Sequence, residues 1–488
     1  MDTELLQKYE PVIGLEVHAQ MLTKSKAFCT CSTEFGAPPN SRTCPVCLGH
    51  PGTLPVLNEN LVRFIVRMGI ATHCHIREHS IFARKNYFYP DLPKGYQISQ
   101  YETPICHGGW IEAELPDGAL KRIGITRIHM EEDSGKSIHD FGSETLVDLN
   151  RAGVPLIEIV SEPDMRSSDE AYAYLTAIKA IVTYLGICDG NMEEGSLRCD
   201  ANVSVRLKGS PQFGQKTEVK NLNSFRNVQR AIQSEIERQI GLLEAGQPVI
   251  HETMMFDANK GVTRAMRTKE EAHDYRYFPE PDLLPVTITS EYIEETRTQI
   301  PELQRERRDR FVHEYSLPKY DADVLTVDKA IADFFENAVL ALESRNAEDI
   351  KAISNYTMGD VMRMLTEQKK SIATLGLDPR HLAELITLVS KSTISNKIAK
   401  DLLPELLGSA KSPKQIVEER GMVQVSDEGA LREAIKTVLA NNGDNLSKYK
   451  AGKVALLGFF VGQTMKAMGG KANPTLLNEL VKQEIEKC

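Results

Sequence analysis

The sequence Val12-Ile-Gly-Leu-Glu-Val-His-Ala-Gln-Met-Leu22 alternates between apolar residues and small or polar ones. Successive side chains of a β-strand point to opposite faces of a sheet, so this alternation predicts a strand with one buried face and one polar face. The expected buried residues are Ile13, Leu15, Val17, Ala19 and Met21, and the expected polar face carries Gly14, Glu16, His18 and Gln20. A carboxylate and an imidazole on one strand face can share a hard cation or flank a phosphate.

Two further segments repeat this arrangement. In residues 197–206, the apolar set Cys199, Ala201, Val203 and Val205 alternates with the polar set Arg198, Asp200, Asn202, Ser204 and Arg206. In residues 217–224, Glu218 and Lys220 share a strand face. Acids, amides, a histidine and a lysine on sheet faces cost free energy when they are remote from solvent, unless a metal or ligand neutralises them. The pattern therefore indicates a polar binding site that is assembled from separate strands.

Residues 130–137 read Met-Glu-Glu-Asp-Ser-Gly-Lys-Ser and end like a phosphate-binding P-loop. Three acids fill the positions where a P-loop presents bare backbone N–H groups, and they would repel a phosphate. Carboxylates can face a nucleotide triphosphate through bound Mg²⁺, so the segment predicts a Mg²⁺ ligand. Strand alternation puts His129 with Glu131 and puts Glu132 on the other side, but a turn within the segment would reverse this. The pattern alone leaves both glutamates open.

The spacing of four cysteines predicts a metal site. Cys29-Thr-Cys31 is followed, after twelve residues, by Cys44-Pro-Val-Cys47, and four thiolates on two short turns suit tetrahedral Zn²⁺. Protein groups would fill all four positions, so the zinc would clamp the loop 29–47 rather than activate water. The alternative is four reduced cysteines in a tight loop.

The character of the sequence changes twice along the chain. Up to about residue 285, glycine, proline and β-branched segments predict a sheet-containing domain with inserted helices. Helical periodicity follows, and one apolar stripe of an amphipathic helix comprises Ile331, Phe334, Phe335, Ala338, Val339 and Leu342. A linker-like segment begins at Gly408. We therefore expect an α+β protein with domains at residues 1–295, 296–407 and 408–488, of which the last two are helical.

Composition and charge narrow the class of protein. With 41% apolar and 26% charged residues, the chain is typical of globular proteins, and no apolar run approaches the length of a membrane span. The start of the sequence lacks the features of a secretory signal, so we expect a cytoplasmic protein without membrane contact. The net charge is −10, but residues 408–488 contain 12 Lys and Arg against 9 Asp and Glu. That local excess is compatible with docking a polyanion.

Several catalytic motifs are missing from the sequence. It has no Gly-x-Gly-x-x-Gly turn, no His-Glu-x-x-His helix and no Gly-x-Ser-x-Gly elbow, so a hydrolytic nucleophile is not evident. The residues alone leave two classes of function. One is a Mg²⁺-dependent ligase or kinase, and the other is a zinc-stabilised RNA-binding module without catalysis.

Longer motifs connect the sequence to a known family. They are Val12-Ile-Gly-Leu-Glu-Val-His18, Arg84-Lys-Asn-Tyr-Phe-Tyr-Pro-Asp91, Gln97-Ile-Ser-Gln100, His129-Met-Glu-Glu-Asp133, Glu193-Glu-Gly-Ser-Leu-Arg-Cys-Asp-Ala-Asn202, Lys220-Asn-Leu-Asn-Ser-Phe225, Asp274-Tyr-Arg-Tyr-Phe-Pro-Glu-Pro-Asp282, Gly462-Gln-Thr-Met-Lys466 and Ala472-Asn-Pro474. Over essentially the whole chain these motifs resemble the B subunits of the bacterial tRNA-dependent amidotransferases, the GatB family.

The resemblance implies a cradle-like catalytic domain, a helical domain and a tail module similar to the YqeY proteins. It also implies a heterotrimer with an amidase subunit (GatA) and a small subunit (GatC). ATP would phosphorylate the side-chain carboxylate of Glu-tRNA(Gln) or Asp-tRNA(Asn). Ammonia from glutamine, hydrolysed in the amidase subunit, would then displace the phosphate, and the basic tail would contact the tRNA backbone.

The resemblance also carries a site onto this sequence. The family's Mg²⁺ and phosphate site corresponds to Glu16, His18, Glu132 and Glu218, and its less certain neighbours correspond to Glu131, Asp200, Asn202 and Lys220. Glu131 remains the alternative to Glu132 as the metal ligand. Some family members lack the four cysteines, so the zinc loop is not expected to take part in the chemistry.

Overall fold

Strand β1 (Tyr9–Gln20) contains the predicted alternating segment and lies in the middle of a nine-stranded sheet. The computed structural model describes residues 3–141, 144–268, 275–422, 428–469, 472 and 474–487. The chain divides into two compact units, Met1–Leu303 and Gln304–Cys488. Two residues of the family motifs, Asp274 and Asn473, lie outside the described residues.

The first unit contains the strands of the protein. After β1 they are β2 (His75–Ile76), β3 (His79–Ser80), β4 (Ala83–Asn86), β5 (Tyr96–Ser99), β6 (Cys106–Glu114), β7 (Leu120–Glu132), β8 (Lys136–Phe141), β9 (Glu144–Asp148), β10 (Pro155–Ser161), β11 (Leu197–Leu207), β12 (Thr217–Lys220), β13 (Glu252–Asp257), β14 (Val262–Thr268), β15 (Phe278–Pro279) and β16 (Val286–Thr287). The helices of this unit are α1 (Thr3–Lys8), α2 (Glu59–Ala71), α3 (Ser168–Tyr184), α4 (Phe225–Glu244) and α5 (Ser290–Thr298).

The large sheet has the order β14-β13-β12-β11-β1-β10-β7-β6-β2. Its neighbouring strands run antiparallel, apart from β12 and β13, which are parallel and are connected in the chain through α4. Smaller sheets consist of β15-β4-β5, β16-β3 and β8-β9. Strand β1 pairs along most of its length with β11 and, over its second half, with β10.

The apolar faces of the central strands form the core of the first unit. Ile13, Val17 and Ala19 are 0% exposed, and Ala201 and Val203 of β11 are equally buried. Helices α2, α3 and α4 contribute to the same core with residues such as Leu61, Leu175 and Ile232. The predicted strand faces of residues 12–22 and 197–206 are therefore confirmed.

The second unit is helical. Its helices are α6 (Gln304–Glu314), α7 (Lys319–Thr326), α8 (Lys329–Leu340), α9 (Ala347–Tyr356), α10 (Met362–Gln368), α11 (Ile372–Leu375), α12 (Pro379–Ser390), α13 (Asn396–Leu402), α14 (Pro413–Glu419), α15 (Glu428–Asn441), α16 (Gly443–Lys450), α17 (Leu456–Ala467) and α18 (Pro474–Lys487). A π-helical turn (Thr357–Val361) joins α9 to α10, and a 3₁₀ turn (Leu403–Leu406) follows α13.

The helical unit contains two separate hydrophobic cores. One includes the predicted stripe on α8, where Phe335, Ala338 and Val339 are fully buried, so that helix prediction is confirmed. The other lies within α15–α18, around residues such as Leu431 and Phe460. The α+β class is also confirmed, whereas the predicted boundaries near residues 295 and 407 stay predictions. No helix in the described part of the chain is both long and apolar enough to cross a membrane.

A buried carboxylate ties α4 to the sheet. Glu235 is 0% exposed, and its carboxylate accepts hydrogen bonds from the hydroxyls of Thr217 at 2.8 Å and Thr263 at 2.9 Å. Arg238 donates to both carboxylate oxygens, at 2.9 and 2.7 Å. Burial by itself raises the pKa of Glu235, but the hydrogen bonds from Arg238 and its neighbours outweigh burial and lower the pKa. The charged form of Glu235 therefore stabilises the fold.

We expect Glu235→Ala to lower the free energy of unfolding by roughly 3 kcal/mol, because it leaves the partners of the carboxylate unpaired. Urea unfolding measures the change, and Glu237→Ala, an exposed position on the same helix, should stay within about 0.5 kcal/mol of wild type. Since the pKa of Glu235 is lowered, its contribution is present above about pH 4.3 and is lost as the pH falls further. Equal unfolding midpoints for the two variants would contradict this account.

Candidate functional site

Five adjacent strands bring the predicted polar residues other than Glu132, together with Glu158, to one face of the large sheet. In order across the sheet, β12 provides Glu218 and Lys220, β11 provides Asp200 and Asn202, β1 provides Glu16 and His18, β10 provides Glu158, and β7 provides His129 and Glu131. Directly paired residues of antiparallel strands point their side chains to the same face. The pairing thus places on one surface residues that are far apart in the sequence.

One row of this surface crosses three strands. His18 pairs with Glu158, and Glu158 pairs with His129. Oε2 of Glu158 lies 3.4 Å from Nε2 of His18 and 3.7 Å from Nε2 of His129. Glu158 is buried and also lies near Arg127, whose guanidinium is 3.7 Å from its other oxygen. Two imidazoles therefore share one buried carboxylate.

Glu131 lies at the end of this row, and hydrogen-bond donors surround its carboxylate. Its carboxylate accepts hydrogen bonds from Ser99 Oγ at 2.7 Å and from Gln97 Nε2 at 3.0 Å. Nε2 of His129 is 3.1 Å from the same carboxylate, and Nζ of Lys85 is 3.7 Å away. Burial alone raises the pKa of Glu131, but the charge of Lys85 and the hydrogen bond with His129 outweigh it, so the pKa is lowered. Glu131 is therefore ionised at neutral pH.

A second acidic group lies on the same face of the sheet, on strands β11 and β12 at the other edge of β1. Asp200 pairs with Glu16, and Asn202 pairs with both Gly14 and Glu218. Nζ of Lys220 is 2.8 Å from Asp200 and 3.1 Å from Glu218. This lysine is the positive counterpart of the group, since the two carboxylates outweigh burial and raise its pKa.

Glu16 lies between the two groups and is poorly neutralised. Burial, followed by the charge of Glu158, raises its pKa. Burial has the opposite effect on His18, but the hydrogen bond and the charge of Glu158 outweigh it and raise the pKa of His18. Oε1 of Glu16 is 3.5 Å from Nε2 of His18. A divalent cation at this position would relieve the repulsion between Glu16 and Glu158.

The donor atoms fit such a cation. Ligand atoms of Glu16, His18 and Glu158 lie within 4.8 Å of one another, and so do those of His129, Glu131 and Glu158. Carboxylate oxygens are the ligands that Mg²⁺ prefers, and Glu158 belongs to both sets. The cleft that holds these groups also opens to Asp200, Glu218 and Lys220.

Glu132 faces the opposite side of β7. Its carboxylate forms an ion pair with Lys94 and accepts the backbone N–H of Ile98 at 2.9 Å. Strand β7 pairs in unbroken register with β10 from Arg127 to Glu132, so Glu131 and Glu132 point to opposite faces. This geometry favours Glu131, the alternative that the sequence left open, over the predicted choice of Glu132 as the ligand in the cleft.

Sequence reasoning missed three charged residues of the cleft: Glu158, Lys85 and Arg127. Glu158 had a detectable signal, because it is a lone acid between Ile157 and Ile159 in an otherwise apolar strand. Lys85 and Arg127 stand in segments with no comparable contrast. Their position follows from strand pairing, which the sequence does not specify.

The four cysteines of the loop 29–47 come together. The Sγ atoms of Cys29, Cys31, Cys44 and Cys47 lie within 4.8 Å of one another, so the cluster can bind a metal such as zinc. The buried Lys26 lies behind it, with Nζ 3.6 Å from Sγ of Cys47. The hydrogen bond from Cys29, with help from Lys26, lowers the pKa of Cys47 to about 4. At least one thiolate is therefore available at neutral pH.

Two family models match this chain. Residues 11–294 match the family described as the GatB/GatE catalytic domain, and residues 333–485 match the family described as the GatB domain. The first match contains every residue described above as lining the cleft.

Relatives extend the match to nearly the full chain. A protein of Geotalea uraniireducens is 56% identical over 482 residues, which cover 98% of this chain and 99% of that protein. One of Thermoanaerobacter pseudethanolicus is 54% identical over 480 residues, covering 98% and 100%. One of Myxococcus xanthus is 53% identical over 478 residues, covering 98% of each. All three are named as the B subunit of an aspartyl/glutamyl-tRNA(Asn/Gln) amidotransferase. This chain therefore belongs to the GatB family, the B subunits of the tRNA-dependent amidotransferases.

Proposed function

We propose that this chain is the kinase and transamidase subunit of a cytoplasmic tRNA-dependent amidotransferase. In the proposed reaction, the side-chain carboxylate of Glu-tRNA(Gln) or Asp-tRNA(Asn) attacks the γ-phosphate of ATP and ADP leaves. Ammonia then displaces phosphate from the acyl phosphate, which yields Gln-tRNA(Gln) or Asn-tRNA(Asn). The observation that carries the proposal is the acidic surface shared by β1, β7, β10, β11 and β12, together with the names of the relatives.

This surface suits phosphoryl transfer, which depends mainly on positioning and charge neutralisation. Glu16, His18, Glu131 and Glu158, which belong to the two groups of ligand atoms described above, would hold Mg²⁺, and the metal would neutralise the phosphate oxygens of ATP. Glu218, a ligand that the resemblance implied, lies beside Lys220 on β12 and belongs to neither group. Lys85 and Arg127 line the same cleft, where each can bind a phosphate oxygen. The part of the cleft that faces the nucleotide would also include Asp200, Asn202 and Lys220.

The second half of the reaction needs a partner. The described part of the cleft presents acids, imidazoles and lysines rather than an activated nucleophile for glutamine hydrolysis. We therefore propose that an amidase subunit (GatA) supplies ammonia and that a small subunit (GatC) completes a heterotrimer. The predicted zinc loop would hold its segment of the first unit in shape without entering the reaction.

We expect Glu131→Gln in the reconstituted heterotrimer to lower ADP formation that depends on misacylated tRNA by at least about 100-fold, because the substitution removes a charge from the cleft. Glu16→Gln should have the same effect, while glutamine hydrolysis by the amidase partner persists. Glu132→Gln, on the opposite face of β7, should retain phosphoryl transfer within about tenfold of wild type. Loss with Glu132→Gln and retention with Glu131→Gln would reverse the assignment, and no ADP from wild type would favour an RNA-binding module.

We expect about one zinc per chain in protein purified without added zinc, since four thiolates that fill all four coordination positions bind the ion tightly. Elemental analysis measures the content. Cys29→Ser should lose the metal, whereas Cys74→Ala, outside the cluster, should keep it. Metal-free wild type would overturn the zinc assignment and leave four reduced cysteines.

We propose that the tail contacts the tRNA backbone, and α16 offers a basic group for this contact. Lys448, Lys450 and Lys453 are exposed at and just beyond its end. Replacing all three with Glu should weaken tRNA binding and reduce the slope of log affinity against log salt by about two to three. Filter binding across a salt series measures both, and the matched Lys→Arg variant should behave like wild type. An unchanged salt slope in the Glu variant would exclude this surface.

A further inference from the structure

Four tyrosines form a continuous series of rings beside the acidic cleft. The rings of Tyr101 and Tyr277 are stacked, with centroids 4.1 Å apart and planes 6° from parallel. Tyr277 meets Tyr275 edge to face at 6.0 Å, and Tyr275 meets Tyr87 in the same way at 6.0 Å. We call these four rings the tyrosine ladder. All four line the cleft that holds Glu16 and Glu131.

The ladder is anchored to the acidic groups at its inner end. Nζ of Lys85 lies 5.1 Å from the ring centre of Tyr275 and 3.7 Å from Glu131. The hydroxyl of Tyr87 is 3.5 Å from Gln97, which donates to Glu131. At the other end, Tyr101 is 54% exposed. The series therefore leads from solvent to the carboxylates.

Tyr101 is exposed, and Tyr87, Tyr275 and Tyr277 are only partly buried. Aromatic side chains that serve only the core are mostly buried, whereas large exposed apolar groups beside a cleft mark binding surfaces. A tyrosine ring is uncharged at neutral pH, so these four rings do not repel a phosphate backbone. Uncharged rings next to lysine and arginine are the combination that binds unpaired nucleotides.

We propose that the tyrosine ladder is a stacking platform for the unpaired bases at the acylated 3′ end of tRNA. The proposal rests on the proposed function, since it assigns the path by which that substrate reaches Glu131. The length of the series favours a strand over a nucleotide cofactor. ATP offers one base, whereas a single strand offers successive bases to successive rings.

The direction of the ladder, from solvent to the carboxylates, also fits this substrate. The aminoacyl group is attached to the last nucleotide, so it must be the part that travels deepest into the cleft. Preceding bases then lie nearer to solvent, where Tyr101 and Tyr277 stack. Lys85, at the inner end, contacts both Tyr275 and Glu131, where it can pair with a backbone or γ-phosphate oxygen.

The test uses the heterotrimer with Tyr101→Ala and Tyr277→Ala. Each should raise the KM for misacylated tRNA by about tenfold or more, because stacking on one ring is lost, and should leave the KM for ATP within about twofold. Tyr101→Phe and Tyr277→Phe keep the ring and should stay within about twofold of wild type for both substrates. Tyr172→Ala, in α3 and outside the cleft, is the matched control and should leave both constants unchanged.

A spectroscopic signal separates stacking from a merely structural role. A tRNA with a fluorescent base analogue in place of a base that precedes its terminal adenine should show quenched fluorescence on binding, and Tyr101→Ala or Tyr277→Ala should restore at least part of it at saturating enzyme. A raised KM for ATP with an unchanged KM for tRNA would assign the rings to ATP and overturn the proposal. Unchanged constants for both substrates would also overturn it, while loss of phosphoryl transfer in Glu131→Gln would leave the proposed function standing.

Discussion

The antiparallel pairing of β1 with β10 and β11 is the constraint on which the candidate site depends. It sets Glu16 beside Asp200 and His18 beside Glu158, so a shift of one residue would turn each side chain of β1 to the other face. The buried face prevents such a shift, because Ile13, Leu15 and Val17 would then leave the core. Hydrophobic packing on one face thus fixes the geometry of the acids on the other.

Charge balance is the second constraint. The carboxylate of Glu158 contacts two imidazoles and the guanidinium of Arg127. Hydrogen-bond donors and the ammonium group of Lys85 surround the carboxylate of Glu131. These partners keep two buried carboxylates ionised, which burial alone would not allow. Burial and the charge of Glu158 keep the pKa of Glu16 raised, although the charges of His18 and Lys220 act against them. The site is therefore organised around a place where added positive charge is stabilising.

The sequence predicted the parts of this arrangement that depend on local periodicity. Alternation along residues 12–22 and 197–206 identified both faces of β1 and β11, and the stripe on α8 followed from helical spacing. Cysteine spacing predicted a cluster that the fold indeed brings together. The choice between Glu131 and Glu132 required the observation that β7 stays regular to its end. Glu158 and Lys85 required strand pairing, which depends on contacts between distant segments.

Strand order has a consequence for synthesis of the protein. Strand β1 is made first, yet its partner β10 begins at Pro155 and its partner β11 ends at Leu207. At about 5–20 residues per second, a ribosome needs roughly 10–40 s to synthesise the residues between the end of β1 and the end of β11. Throughout this time the backbone of β1 lacks at least one of its two partner strands. The strand that organises the cleft is thus the first strand made, and it is paired on both sides only after β11 has been made.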